Sequence, residues 1–153
     1  MYQNGFIALL NNHHLLISIF SCLSAQALKV FIGYTYTKKL DKSLFFGTGG
    51  MPSSHSALVV SLATSIGIAE GLHSPLFALA LVFALIVMYD AAGVRRAAGK
   101  HAEVINVLVE RLQNIGITAD EKLKELLGHS PIEVVIGALW GILIATVTHS
   151  YIV

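Results

Sequence analysis

The chain has 153 residues, of which 55% are hydrophobic and only 12% charged, with a net charge of +1 and a mean hydropathy of +0.72. That charged share is about half that of a soluble domain. The composition therefore excludes an ordinary soluble enzyme and defines one integral membrane domain over residues 1–153, with no charge-based case for a nucleic-acid partner. The lone Cys22 has no intramolecular partner and reads as a small buried hydrophobe in an apolar run. No Lys or Arg precedes Lys29, so the basic start of a signal peptide is missing and the apolar segments are expected to stay.

Four apolar segments approach the ~20 residues that cross a bilayer. They are expected at about 14–37, 54–71, 76–92 and 132–153, with "GLHSP" (Gly71 to Pro75) as a tight connection between the second and third. Between the third and fourth, residues 101–129 change character. Val104, Ile105, Leu108, Leu112 and Ile115 recur at helical spacing among Glu103, Glu110, Arg111 and Gln113. Gly116 then reads as a stop, and Thr118 with Glu121 as a capping box opening a short second arm that Gly128 closes. The fold class is thus all-α: a polytopic bundle of about four membrane helices with an amphipathic hairpin over its mouth or on the membrane surface.

Charge orients the bundle. Lys38, Lys39, Lys42, Arg95, Arg96, Lys100, Arg111, Lys122 and Lys124 fall in the two connections on one face, and the other face has no Lys or Arg. The positive-inside rule puts the rich face in the cytoplasm of a plasma or inner membrane, with both termini outside. Small residues recur every four positions at Ala57, Ser61, Ser65 and Ala69, at Ala63, Gly67 and Gly71, and at Gly137, Gly141 and Ala145. Such ladders let helices approach closely, within the chain or across a homodimer.

Two stretches carry candidate chemistry, and both fall on the cytoplasmic side. In "GGMPSSHSALVV" (49–60), glycines allow a turn, Pro52 precedes a helix and Ser53 or Ser54 caps it. A helix start supplies unpaired amides, so this is either a capped membrane helix whose His55 faces the interface or an anion site. In "YDAAGVRRAAGKHAEVIN" (89–106), Asp90 precedes Arg95, Arg96, Lys100 and His101. Such a patch contacts lipid headgroups, or its arginines clamp phosphoryl oxygens while a neutral imidazole attacks phosphorus. Lys29 lies about 13 Å inside the end of the first span at 1.5 Å per residue. It either snorkels or faces an anion, bound phosphate or Asp90.

These two stretches, with the late "GHSPIEVVIGALWG" (128–141), resemble the divergent branch of the type 2 phosphatidic acid phosphatase superfamily, which includes vanadium-dependent haloperoxidases. Its pattern has three blocks: K-x6-R-P, P-S-G-H and S-R-x5-H-x3-D. Pro52, Ser53, Ser54 and His55 match the second block with Ser54 in place of glycine, and Arg95 and His101 match the R-x5-H spacing. The resemblance implies that His101 attacks phosphorus, that His55 protonates the leaving alkoxide, and that Arg95, Ser53 and local amides hold the phosphoryl oxygens. K-x6-R-P is missing, with Lys29 the stand-in for its lysine and Lys38 or Lys39 for its arginine. The acid that should orient the nucleophile falls at Ile105, which cannot do so; Asp90, Asn106 or Glu133 is left to serve. Glu133 also completes a capping box with Ser130 and Pro131.

The expected activity is hydrolysis of a lipid phosphate, phospholipid or polyprenyl, at the cytoplasmic face through a phosphohistidine. Catalytic residues are then His101 and His55, and phosphate binders Lys29, Ser53, Ser54, Arg95 and Arg96. No metal or cofactor is required, and vanadate is expected to inhibit as a phosphate mimic. Two competitors remain. One is a non-catalytic protein that binds anionic headgroups or scaffolds a complex. The other is a metal-dependent hydrolase using His55, Asp90, His101, Glu103 or His129, although no H-E-x-x-H spacing is present.

Overall fold

The computed structural model describes residues 5–38, 45, 50–113, 123 and 128–152. Among them it contains six helices and no strand: α1 Gly5–Leu10, α2 His13–Thr37, α3 Ser54–Glu70, α4 Pro75–Ala92, α5 Val94–Gln113 and α6 Pro131–Ile152. The four expected spans correspond to α2, α3, α4 and α6, each displaced by no more than a residue or so at its ends; the short α1 precedes them. Three helices are long and apolar enough to cross a membrane: α2, α4 together with the α5 that continues it, and α6. The 17-residue α3 is shorter, about 25 Å at 1.5 Å per residue, and packs among them.

Local chemistry sets these boundaries. Asn12 caps α2 by accepting from the Leu15 N–H at 3.1 Å, and Lys38 ends it in the left-handed region at φ 54°. Ser53 caps α3, whose last turn closes where the Gly71 N–H donates to Gly67 O at 3.1 Å. Ser74 caps α4 with Pro75 at its first position. Gly93 separates α4 from α5, so the first arm of the hairpin starts at Val94 rather than near His101. The second arm, with Gly116, Thr118 and Glu121, lies outside the described residues. Leu123 is described, and Asn106 grips it through both amide atoms, Nδ2 donating to Leu123 O and Leu123 N donating to Oδ1, each at 2.8 Å.

α3 is the hub: it packs against α2, α4 and α6, while no described Cα of α2 comes within 8 Å of α4. The small-residue ladders make this possible. Gly137 lies directly on Ser53 O, and a Cβ at Gly141 would come within 2.7 Å of Ala57 O. Ala57, Ser61, Ser65 and Ala145 are accordingly fully buried. Apolar packing between helices gains little over lipid, so polar bonds contribute to cohesion. Ser21 Oγ donates to Ala57 O at 3.2 Å, Trp140 Nε1 donates to Ser24 Oγ at 2.9 Å, and His14 Nδ1 lies 2.7 Å from Ser65 Oγ.

Because α2 and α4 stay apart, one side of α3 is left partly open. His55, Leu58, Leu62 and Ile66 form its half-buried stripe. Beyond His55 along this stripe, Leu62 and Ile66 join Leu76, Leu79, Ala80 and Phe83 in an apolar groove of about 330 Å³.

Candidate functional site

The starts of α3 and α6 lie side by side. The Ser53 N–H donates to Glu133 O at 3.1 Å, and Gly137 admits the contact because no side chain intervenes. Ser53 Oγ accepts from Ser56 N at 3.4 Å and Ser56 Oγ at 3.0 Å, so the cap predicted here is Ser53, with Ser54 buried beside it. The expected capping box at α6 is also present: Ser130 N donates to Glu133 Oε2 at 3.2 Å, and Glu133 N donates to Ser130 Oγ at 3.4 Å. Two adjacent helix starts concentrate unpaired amides and positive dipole ends at one place.

Lys29 reaches this place from α2. It is buried to 3% exposure, so it does not snorkel to the surface, and its stem runs along Gly50, where a Cβ would sit 3.4 Å from Lys29 Cδ. Gly50 adopts φ +81°, which favours glycine at this bend. Glu133 is close enough for its charge to act on Lys29.

The histidine facing His55 is His129. Their ring centroids are 6.4 Å apart at an interplanar angle of 63°. His129 is buried to 3% exposure, and its Nδ1 lies 3.0 Å from Glu133 Oε2. A proton on Nδ1 donated to that carboxylate leaves Nε2 with a free lone pair, the tautomer a nucleophile or ligand needs. The His129 N–H donates to Ala91 O at 3.1 Å, pinning the segment to the end of α4. Gly128, immediately before it, lies so close to Arg95 and Arg96 that a Cβ would strike the Arg96 backbone N.

Arg95 and Asp90 complete the cluster. Arg95 Nε donates to Asp90 Oδ2 at 2.7 Å, with both side chains nearly half exposed. Arg95, His129, Lys29 and Asp90 all lie near enough to His55 to act on its charge. Of the residues singled out in the sequence, the structure gathers Lys29, Ser53, Ser54, His55, Asp90, Arg95 and Glu133 at one end of the bundle. Arg96 follows Arg95 with its side chain exposed.

His101 is placed elsewhere. It is exposed on α5, in a stripe with Val94, Val104, Ile105 and Leu108, while Gly99, Ala102 and Asn106 form that helix's buried face. Among the described residues it has no hydrogen bond, ion pair or ring contact to His55, Ser53 or Arg95. Asn106 holds Leu123 through both amide atoms. Asp90 holds Arg95, and Glu133 holds His129. The histidine that the structure sets opposite His55 is therefore His129, which the sequence reading weighed only as a metal ligand. Its signal was available: His129 and Glu133 stand at the H-x3-acid spacing of the third block, in the stretch already noted for its resemblance. Among the described residues, no three His, Cys, Asp or Glu side chains converge as a metal site would require.

Fold and site together define an all-α membrane helix bundle with paired histidines and basic residues at one end. Residues 10–144 match the family model described as the divergent PAP2 family, and the chain belongs to that family. It is also 48% identical over 150 residues to a protein of Bacillus subtilis (strain 168) named uncharacterized membrane protein YuiD, covering 91% of this chain and 95% of the relative. No solved structure matches the chain.

Proposed function

We propose that the protein is a membrane phosphatase that hydrolyses a lipid phosphate at its Lys- and Arg-rich, cytoplasmic end. The observation that carries this reading is the pairing of His55 with a buried His129 whose Nδ1 is held by Glu133. His129 Nε2 attacks phosphorus as the P–O ester bond breaks, and His55 gives its proton to the departing alkoxide. Water then attacks the phosphohistidine while His55 takes the water's proton, releasing inorganic phosphate and restoring both rings. Lys29, Arg95, Arg96, Ser53, Ser54 and the first-turn amides of α3 offset the charge on the phosphoryl oxygens. The apolar groove beyond His55 gives the lipid chain a path within the membrane.

His101 then has no part in the chemistry, although its spacing to Arg95 fits the family's third block. Phosphate release by purified protein from phosphatidic acid, phosphatidylglycerol phosphate and a polyprenyl monophosphate tests this directly. The expected result is release that vanadate inhibits, that His129→Ala and His55→Ala abolish, and that His101→Ala leaves intact. A second reading, binding of anionic headgroups without catalysis, draws support from the exposed Arg95, Arg96, Lys100 and Arg111. It requires that no substrate be turned over and that the histidine variants bind lipid normally.

A further inference from the structure

The small-residue ladders that could have joined two copies of the chain are used inside it. Gly137 lies on Ser53 and Gly141 on Ala57, while a Cβ at Gly67 would meet the Phe77 ring at 2.9 Å. α5 has the opposite character, since it meets α4 alone among the described helices. Gly99, Ala102 and Asn106 form its buried face. On the other side of the helix, Lys100, Glu103, Val104, Val107, Leu108 and Arg111 line a groove of about 480 Å³, and all of them are exposed. Their spacing is that of one continuous helix face. Exposed apolar side chains on α2 and α4 are covered by lipid. α5 carries Arg95, Arg96, Lys100, Glu103, Glu110 and Arg111 within 20 residues, so hydrocarbon does not cover it. Val104, Val107 and Leu108 are then left to water, an arrangement that marks an interaction surface.

We propose that this groove is a two-fold interface with a second copy of the chain, α5 packing antiparallel on α5 of its partner. The charges select that arrangement. Glu103 and Arg111 stand four residues either side of Val107, and among the described residues neither has an ion-pair partner. A two-fold axis through Val107 sets each Glu103 against Arg111 of the partner subunit, so the pairing occurs twice. Val104, Val107 and Leu108 close over the axis and leave water, while the paired charges fix the register more than they add stability. A parallel pair is disfavoured, because it opposes Glu103 to Glu103, Lys100 to Lys100 and Arg111 to Arg111. Two copies in one bilayer share its normal as their two-fold axis, so the antiparallel pair lays α5 along the membrane plane. Gly93 permits this, since its φ −102° and ψ −82° depart from helical values where α5 leaves α4. An anionic leaflet fits the groove less well, because it repels Glu103. No residue assigned to phosphoryl chemistry lines the groove, so the interface stands or falls apart from that reading.

The test is cysteine cross-linking of the full chain in isolated membranes, on a Cys22→Ser background that removes the sole cysteine. Val107→Cys puts both thiols at the axis, within the ~7 Å Cα separation that a disulfide requires, and is expected to give a covalent dimer on mild oxidation. Lys100→Cys lies in the same groove, but its two copies stand about 21 Å apart along the helices at 1.5 Å per residue, and it is expected to stay uncross-linked. In purified protein, Glu103→Arg should weaken association by at least about tenfold, and Glu103→Arg combined with Arg111→Glu should restore it to within about threefold of wild type. A wild type that is monomeric by light scattering, with Val107→Cys uncross-linked in membranes, overturns the inference and leaves the leaflet as the cover. Equal cross-linking at Lys100→Cys and Val107→Cys overturns it too, as does a Val107→Cys cross-link to a different protein. A dimer that Glu103→Arg leaves unchanged lies on another surface and also overturns it. The cysteine results are read without the charge variants, so a Glu103→Arg protein that fails to fold does not rescue the proposal.

Discussion

Ser53, Ser74 and Ser130 open three helices with the same chemistry, each a serine beside a proline whose hydroxyl serves the first turn. Ser53 and Ser130 lie together at one end of the bundle, and Ser74 lies at the other. Around Ser74 the hydroxyl bonds Glu70 at 2.9 Å, and the connection from Gly71 to Pro75 contains no Lys or Arg. Around Ser53 stand a buried Lys29, Arg95 and two facing histidines. A capped helix start is thus common to both ends and diagnostic of neither. What separates the ends is the buried Lys29 from α2, Arg95 from α5 and the facing His55–His129 pair at the α3 and α6 starts.

The most direct way to break this comparison is to remove the imidazoles. His129→Ala is expected to lower phosphate release by at least ~10³-fold, and His55→Ala by about 10²- to 10⁴-fold. His101→Ala should stay within about twofold of wild type, because its side chain lies on the exposed stripe of α5. Loss of activity in His101→Ala with normal activity in His129→Ala would return the nucleophile to α5. Glu133→Gln is a finer instrument. Glutamine can still complete the capping box, so the folded bundle should keep its melting temperature in detergent. The lost carboxylate charge no longer fixes the His129 tautomer, and kcat is expected to fall by about 10²-fold or more.

The bundle was legible before the site was. Apolar runs bounded by Ser-Pro and Gly placed α2, α3, α4 and α6, because in a membrane the backbone must satisfy itself and helices follow. Lys29 stood out for a related reason: a charge inside an apolar run needs a partner. The pairing of His55 with His129 was not legible in the same way. Arg95 and His101 are six residues apart in the chain, and their spacing matches a known block. The structure instead brings Arg95 near His129 through a contact distant in sequence, the packing of Gly128 on the Arg95–Arg96 backbone. Local periodicity carries no information about such a closure. Under the proposed reading, the arginine and histidine of the third block are Arg95 and His129, separated by the whole of α5, a spacing that R-x5-H does not describe.

The glycines that allow the two starts to meet offer a stability test of the same comparison. At Gly137 a Cβ would collide with Ser53 O, so Gly137→Ala must push α6 away from the start of α3. Overpacking of this kind costs about 1–3 kcal/mol, visible as a lower melting temperature in detergent. Gly5→Ala, with nothing within 4 Å, should have no such effect. A Gly137→Ala protein as stable as wild type would mean that the α3 and α6 starts are not in contact.

The smallest expected effects discriminate best between cap and site. Ser53→Ala and Ser74→Ala each remove an N-cap, and each should cost about 1 kcal/mol of stability. If the Ser53 end is only a better-decorated cap, the two variants behave alike in every assay. If its hydroxyl and the amides it orders also hold phosphoryl oxygens, Ser53→Ala loses about tenfold in kcat/KM beyond any stability loss, one charge-assisted hydrogen bond at ~1.5–3 kcal/mol. Ser74→Ala, with the same loss of stability, keeps wild-type turnover. Matched stability with unmatched activity is the result that separates a helix start used as a site from one used only as a beginning.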